Sequence, residues 1–115
     1  MRLLFILLLL FALPAVAQID EARELRCIGA VETGNRWMVG RAGEIGPQQM
    51  TAAARKRALD PLEYLRWLEK VVPDPTPYRL ALAWAAGPAG MRDAPYRKRD
   101  EAQRAANLYY DKGFE

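Results

Sequence analysis

The chain has 115 residues, with 17 Lys and Arg against 14 Asp and Glu, a formal net charge of +3 and one cysteine. It contains neither histidine nor serine, which excludes Ser-His hydrolysis and argues against a zinc site. The small positive excess does not indicate a nucleic-acid partner, although it is compatible with an anionic polymer. We expect no cofactor and no metal.

The N-terminus has the pattern of a secretory signal peptide. A basic start at Met1-Arg2 is followed by an apolar run, Leu3–Leu13, and by the small-x-small triplet Ala15-Val16-Ala17. The run is shorter than the roughly 20 residues of a membrane span, so an uncleaved anchor is the lesser alternative. We therefore predict a signal peptide at residues 1–17, cleavage after Ala17, and a periplasmic or secreted product with no stable membrane span.

Residues 18–115 are long enough for one small domain with a single core. Only Arg2 is lost with the signal, so this part carries 16 positive and 14 negative charges. Cys27 has no partner for an internal disulfide and is predicted to be a small buried residue. The core must hold without a covalent cross-link.

The first helix is predicted over Ile19–Val31, with Asp20 as its N-cap. Gly34 is typical of a helix end, which places Glu32 in the last turn. Leu25, Ile28 and Glu32 share one helical stripe, so the carboxylate faces the same way as apolar residues.

Partial burial and the negative end of the helix dipole both raise the pKa of a carboxyl at this position. A carboxylic acid that stays protonated near neutral pH can serve as a general acid. We therefore single out Glu32 as the candidate catalytic residue. The alternative is a glutamate that reaches into solvent from a frayed helix end.

After a glycine-rich loop over Arg36–Gly46, the sequence predicts a second helix from Pro47 to about Ala58. Asp60, Pro61 and Glu63 mark the start of a third helix, which ends before Pro73. Its Tyr64 and Trp67 rings are interpreted as packing residues that flank a stripe formed by Leu62, Leu65, Leu68 and Val72.

Thr76 and Pro77 predict the start of a fourth, alanine-rich central helix over Tyr78–Ala86, which Gly87 ends. Met91–Arg99 is predicted to be a turn-rich basic segment whose charges are solvated. A last helix is expected over Asp100–Asp111, with Ala102, Ala105, Ala106 and Tyr109 on one side. No stretch alternates as a strand does, so the fold class is all-α.

Four short motifs follow one another in this framework. They are Glu32-Thr33 at a helix end, Gly46-Pro47-Gln48-Gln49 in a turn, Ala83-Trp84-Ala85-Ala86-Gly87-Pro88 at a second helix end, and the late pair Tyr109-Tyr110. Their order resembles the catalytic domain of the soluble lytic transglycosylases, which are lysozyme-like enzymes that cut peptidoglycan. The resemblance covers most of residues 25–111 and implies a compact lysozyme-like helical domain, divergent and short.

By this resemblance Glu32 is the single catalytic acid and base, Gln49 lines the cleft and binds sugar, and Tyr109 hydrogen-bonds and orients the glutamate. Thr33 replaces the family's serine and keeps its hydroxyl, whereas Ala85 replaces an asparagine that helps to hold the sugar. The implied partner is the glycan strand of peptidoglycan, cut between N-acetylmuramic acid and N-acetylglucosamine with a 1,6-anhydro product.

Other functions stay open at this point. Glu44 is a possible second carboxylate, which a hydrolytic lysozyme would use. Ala85 stands where the resembled family has an asparagine, and this motivates a second hypothesis. In it the chain is a peptidoglycan-binding module without turnover that serves as an accessory to an envelope machine. A third hypothesis is a small exported helical interaction protein with no sugar site. In this case Trp84 is only a core or partner-facing residue.

Overall fold

The computed structural model describes residues 18–58 and 60–115. The predicted signal peptide and its cleavage site lie outside these residues. The described helices are α1 (Glu21–Thr33), α2 (Ala52–Arg57), α3 (Pro61–Val71), α4 (Pro77–Ala86), a short 3-10 turn (Pro88–Gly90) and α5 (Tyr96–Tyr110). Two isolated β-bridges, but no strand, occur in this part of the chain, which confirms the all-α class.

Helix starts follow the capping residues closely. Asp20, Asp60 and Thr76 cap α1, α3 and α4, and each side chain accepts a hydrogen bond of 2.9–3.1 Å from the backbone N–H three residues later. Gly34 ends α1 in the left-handed conformation, at φ 68°, which a glycine adopts without steric cost. These local signals were read correctly from the sequence.

The predicted start of the second helix at Pro47 is wrong. Residues 46–49 form a turn instead, in which the Gln49 N–H donates to the Gly46 carbonyl at 3.1 Å, and Pro47 takes the second position that proline favours in such turns. Met50 pairs with Ile45 through two backbone hydrogen bonds, and the helix begins only after Thr51, which caps it.

The last helix also differs from its prediction, because it begins at Tyr96 rather than Asp100. Pro95 fixes the chain just before the first turn, and the three basic residues that follow continue directly into the helix. The residues predicted to be solvated in a turn therefore lie in the first turn of α5.

The core is centred on α4, whose Leu80, Ala83 and Trp84 are buried. Helix α5 packs against both α4 and α1, and α3 packs against both α1 and α4. Tyr64 contributes aromatic contacts, with ring centroids 5.8 Å from Trp67 and 4.9 Å from Trp84. The interpretation of these rings as packing residues is confirmed. None of the helices in the described residues is long and apolar enough to cross a membrane.

Helices α1 and α5 run antiparallel, as hydrogen bonds between the start of α1 and the end of α5 show. The Arg23 guanidinium donates to backbone carbonyls at and beyond the C-terminus of α5, those of Leu108, Tyr109, Asp111 and Phe114. A cation at this position satisfies carbonyls that the helix leaves without partners. The end of α1 therefore lies beside the beginning of α5.

The core also contains a carboxyl group that sequence reasoning missed. Glu24 is fully buried, and neither of its carboxyl oxygens has a hydrogen-bond partner among the described residues. Burial, together with the nearby negative charge of Glu69, raises the pKa of Glu24 to about 8. Glu24 precedes Cys27 by three residues and Ile28 by four, and both of these residues are buried. This helical spacing is the signal that could have placed Glu24 in the core.

Glu24 makes the stability of the fold depend on pH. The folded chain keeps the proton up to about pH 8, whereas the unfolded chain releases it near the ordinary glutamate pKa of 4.5. The unfolded state therefore binds fewer protons between these values, and the free energy of unfolding falls as the pH rises, by up to about 1.4 kcal/mol per pH unit for this group.

We predict that Glu24→Gln has nearly the stability of the parent at pH 5 and is more stable than the parent at pH 8. Urea denaturation across this range measures both slopes, and Glu115→Gln at the exposed C-terminal residue is the control. Glu32 and Glu69 also have raised pKa values. The free energy of unfolding of Glu24→Gln should therefore still fall as the pH rises, but less steeply than that of the parent. An unchanged slope in Glu24→Gln would contradict the assignment.

Candidate functional site

A groove opens beside the end of α1, where the first turn of α5 approaches it. Its volume is about 330 Å³, at the lower end of the range of ligand-binding clefts, roughly 300–1,000 Å³. Its lining comes from α1, the loop after α1, the end of α4 and the start of α5: Glu32, Glu44, Gln49, Thr51, Trp84, Ala85, Arg97, Lys98 and Glu101.

The loop wall of this groove is fixed by Thr33, the last residue of α1. The Thr33 hydroxyl donates to the Pro47 carbonyl at 2.9 Å and accepts from the Arg36 N–H at 3.1 Å. Thr33 is buried, so these bonds are shielded from water. The residue after Glu32 thus attaches the helix end to the turn that carries Gln49.

Two further hydrogen bonds fix the same turn. The Gln48 amide donates to the Leu25 carbonyl on α1 at 3.1 Å, and the Trp84 indole N–H donates to the Gln48 carbonyl at 2.7 Å. The turn is therefore bound to both α1 and α4, the two helices whose ends meet at the groove.

Glu44 and Gln49 pack over Gly40 within the loop. A Cβ atom at Gly40 would collide with the Glu44 carboxylate and the Gln49 amide, so the close approach of both side chains requires a glycine there. The Gln49 amide nitrogen donates to the Met38 and Gly46 carbonyls at 3.0 and 2.8 Å. Gln49 therefore orders the loop while it also lines the groove.

Glu32 is half-buried at the groove, and its carboxyl group has no hydrogen-bond partner among the described residues. Burial raises its pKa to about 7, with further increases from the negative charges of Glu101 and Glu44 and opposing effects of Arg104 and Arg97. At neutral pH this carboxyl group is divided between its two protonation states. It can both give and accept a proton under the same conditions.

The structure brings several of the predicted site residues together. Glu32, Gln49, Ala85 and the possible second carboxylate, Glu44, all line the groove. Thr33 is adjacent but buried, with its hydroxyl used within the fold, so its contribution is to position the loop.

Tyr109 does not join the site, and the expectation that it orients Glu32 is corrected. Its hydroxyl accepts a hydrogen bond of 2.9 Å from the Asp20 backbone N–H at the beginning of α1. Glu32 lies at the other end of that helix, roughly 18 Å away along the axis at 1.5 Å per residue. Because α1 and α5 are antiparallel, a residue late in α5 cannot reach the end of α1.

Arg97, Lys98 and Glu101 are among the lining residues that sequence reasoning missed. The sequence predicts that the last helix starts at Asp100. This places Arg97 and Lys98 in a solvated turn and Glu101 at the edge of the helix. The signal was Pro95, which often precedes or opens a helix. With the start placed at Tyr96, the antiparallel packing brings residues 97–101 beside Glu32.

Among the described residues, no group of three or more His, Cys, Asp or Glu side chains is arranged to hold a metal ion. Comparisons with protein-family models, curated proteins and solved structures find no significant match to this chain. The interpretation of the groove therefore depends on its residues and their geometry.

The buried Thr33 hydroxyl provides a direct test of how the loop wall is held. We predict that Thr33→Val, which keeps the shape and removes the hydroxyl, lowers the free energy of unfolding by roughly 1–3 kcal/mol, since it leaves the Pro47 carbonyl and the Arg36 N–H without their partner. Thr33→Ser keeps the hydroxyl and should be the milder change. Chemical denaturation compares the two, and equal stability of the valine and serine variants would contradict this role.

Proposed function

We propose that this chain is an exported peptidoglycan-cleaving enzyme, a lytic transglycosylase that uses Glu32 as its single catalytic acid and base. The observation that carries the proposal is the half-buried Glu32 carboxyl group, with a pKa of about 7, at a groove of about 330 Å³. The ordered sequence motifs that resemble the soluble lytic transglycosylases support the choice of substrate.

The proposed reaction needs only one carboxyl group. Protonated Glu32 donates its proton to the glycosidic oxygen between N-acetylmuramic acid and N-acetylglucosamine as the bond to muramic C1 breaks. The resulting carboxylate then takes the proton from the muramic C6 hydroxyl as the hydroxyl oxygen bonds to C1. This closes the 1,6-anhydro ring and restores the acid, so no water is consumed.

The surroundings of Glu32 suit both halves of this cycle. Burial and the negative charges of Glu101 and Glu44 favour the protonated form that begins the reaction, and Arg97 and Arg104 limit that shift. A pKa near the working pH is optimal for a group that must act first as acid and then as base. Gln49 and Ala85 line the space that the sugar would occupy.

Hydrolysis is the second candidate, and the presence of Glu44 in the same groove favours it. A lysozyme-type hydrolase uses one carboxylic acid to protonate the leaving group and a second carboxylate as nucleophile or base. Its product carries a free reducing end rather than an anhydro ring, so product analysis separates the two reactions.

A binding module without turnover is the third candidate. It is motivated by Ala85, which leaves a methyl group where the resembled family has an amide side chain. Such a protein would bind peptidoglycan within an envelope assembly but release no fragments.

The decisive experiment is incubation of the purified protein with peptidoglycan, followed by mass spectrometry of the released muropeptides. We predict anhydro-muropeptides from the parent protein and at least about a hundredfold less from Glu32→Gln, because general acid catalysis contributes roughly 10² to 10⁴ in rate. Circular dichroism of the variant checks that it is folded.

Glu44→Gln is the matched variant within the groove. The transglycosylase proposal predicts that its products, at whatever rate, retain the anhydro ring. Reducing-end products that disappear in Glu44→Gln would favour the hydrolase. Binding to peptidoglycan with no release by the parent protein would favour the binding module, and neither binding nor release would contradict the proposed substrate.

A further inference from the structure

Two adjacent cations line the groove on the side formed by α5. Arg97 and Lys98 belong to the first turn of this helix, and both face the space beside Glu32. Arg99, the next residue, is exposed and does not line the groove. The basic run therefore contains two residues at the site and one outside it.

Neither cation forms an ion pair within the described part of the chain, although Arg97 acts on the Glu32 carboxyl group electrostatically. Glu101 follows Arg97 by four residues and Lys98 by three, the spacings at which helical ion pairs form, and it lines the same groove. The Arg66–Glu21 and Arg104–Asp100 ion pairs of residues 18–58 and 60–115 nevertheless involve neither Arg97 nor Lys98. The charges of Arg97 and Lys98 are consequently available to a ligand.

Positive charge at this position is unfavourable for the helix itself. The first turn of α5 contains no acidic residue, and Pro95 supplies no side-chain cap. Cations there are repelled by the positive end of the helix dipole. A negatively charged group bound in the groove would remove this penalty.

The groove also contains the carboxyl groups of Glu32, Glu44 and Glu101, which restrict where an anion can bind. Glu44 belongs to the loop after α1, whereas both cations belong to the first turn of α5 and Glu101 follows them in its second turn. An anionic ligand group should therefore be directed to the first turn of α5.

We propose that Arg97 and Lys98 form a subsite for a carboxylate carried by the glycan next to the bond that is cut. This inference rests on the proposed function and adds to it a basis for choosing substrates. An arginine and a lysine side by side can bind one carboxylate through charge-assisted hydrogen bonds. A neutral glycan such as chitin offers no such group, so the subsite would favour acidic glycans.

Two sources of this carboxylate exist in peptidoglycan, the lactyl ether of muramic acid and the peptide stem. In intact strands the lactyl carboxyl is blocked by the stem, and the stem supplies the free carboxylates. Removal of the stem by an amidase exposes the lactyl carboxylate instead. Chemical amidation of the carboxylates removes the charge while it keeps the sugar chain.

Binding can be measured with these ligands by titration calorimetry, with Glu32→Gln introduced into the whole protein to prevent turnover. The probes are soluble intact strands, amidase-treated strands, amidated strands and chitin oligosaccharides. The double substitution Arg97→Gln/Lys98→Gln is compared with Arg99→Gln, which removes an adjacent charge on the same helix outside the groove.

We expect the double substitution to weaken binding of the carboxylate-bearing strands by about tenfold or more, the effect of losing one charge-assisted hydrogen bond. The parent should bind amidated strands and chitin more weakly than the carboxylate-bearing strands, by a similar factor. The double substitution should not change its affinity for these neutral ligands. Arg99→Gln should bind as the parent does. Strong binding only to intact strands assigns the carboxylate to the stem, and strong binding to amidase-treated strands assigns it to the lactyl group.

Equal binding of charged and neutral glycans would overturn the subsite, as would equal effects of the double substitution and Arg99→Gln, or no binding of any probe. The first two outcomes are separate from the test of the proposed function. A protein that releases anhydro-muropeptides but does not distinguish charged from amidated strands would retain its enzymatic function and lose this subsite.

Discussion

The site depends on the attachment of the end of α1 to the turn at Pro47. The Thr33 hydroxyl makes this attachment directly, and Gln48 and Trp84 reinforce it from the two sides of the turn. Without these bonds a loop rich in glycine would have no fixed position relative to Glu32. With them, Glu44 and Gln49 are held at the same groove as the glutamate that precedes Thr33.

The second requirement is the antiparallel packing of α1 and α5. Arg23 fixes it at one end by binding the carbonyls that terminate α5, and the first turn of α5 consequently lies beside Glu32 at the other. This arrangement brings three carboxyl groups and two cations to one groove. The balance between them determines the protonation of Glu32, because burial and like charges raise its pKa while nearby arginines lower it.

Local signals allowed most of the fold to be predicted. Asp20, Asp60 and Thr76 each cap a helix through their own side chains, and Gly34 ends one through its backbone freedom, so these boundaries depend on a few neighbouring residues. Pro47 was ambiguous, because proline favours both the first turn of a helix and the second position of a β-turn. Pairing of Met50 with Ile45 and the cap at Thr51 decided between them, and neither is visible in helix propensity.

The candidate site was predicted only in part for the same reason. Glu32, Glu44, Gln49 and Ala85 were found from local pattern and resemblance, and the packing brings them to one groove. Tyr109 was misplaced and Arg97, Lys98 and Glu101 were missed, because their positions depend on where α5 begins and on its direction relative to α1. Those are properties of tertiary packing, to which short motifs are insensitive.

The proposed chemistry requires that Glu32 keeps its proton to near neutral pH, through its burial and the negative charges of Glu101 and Glu44. Carbon-13 NMR titration of the side-chain carboxyl, assigned by the signal missing from Glu32→Gln, measures this directly. We predict a pKa of about 7 for Glu32, and a lower value when Glu101→Gln removes the largest source of repulsion. A Glu32 carboxyl that titrates near 4.5 and is unaffected by Glu101→Gln would contradict the account.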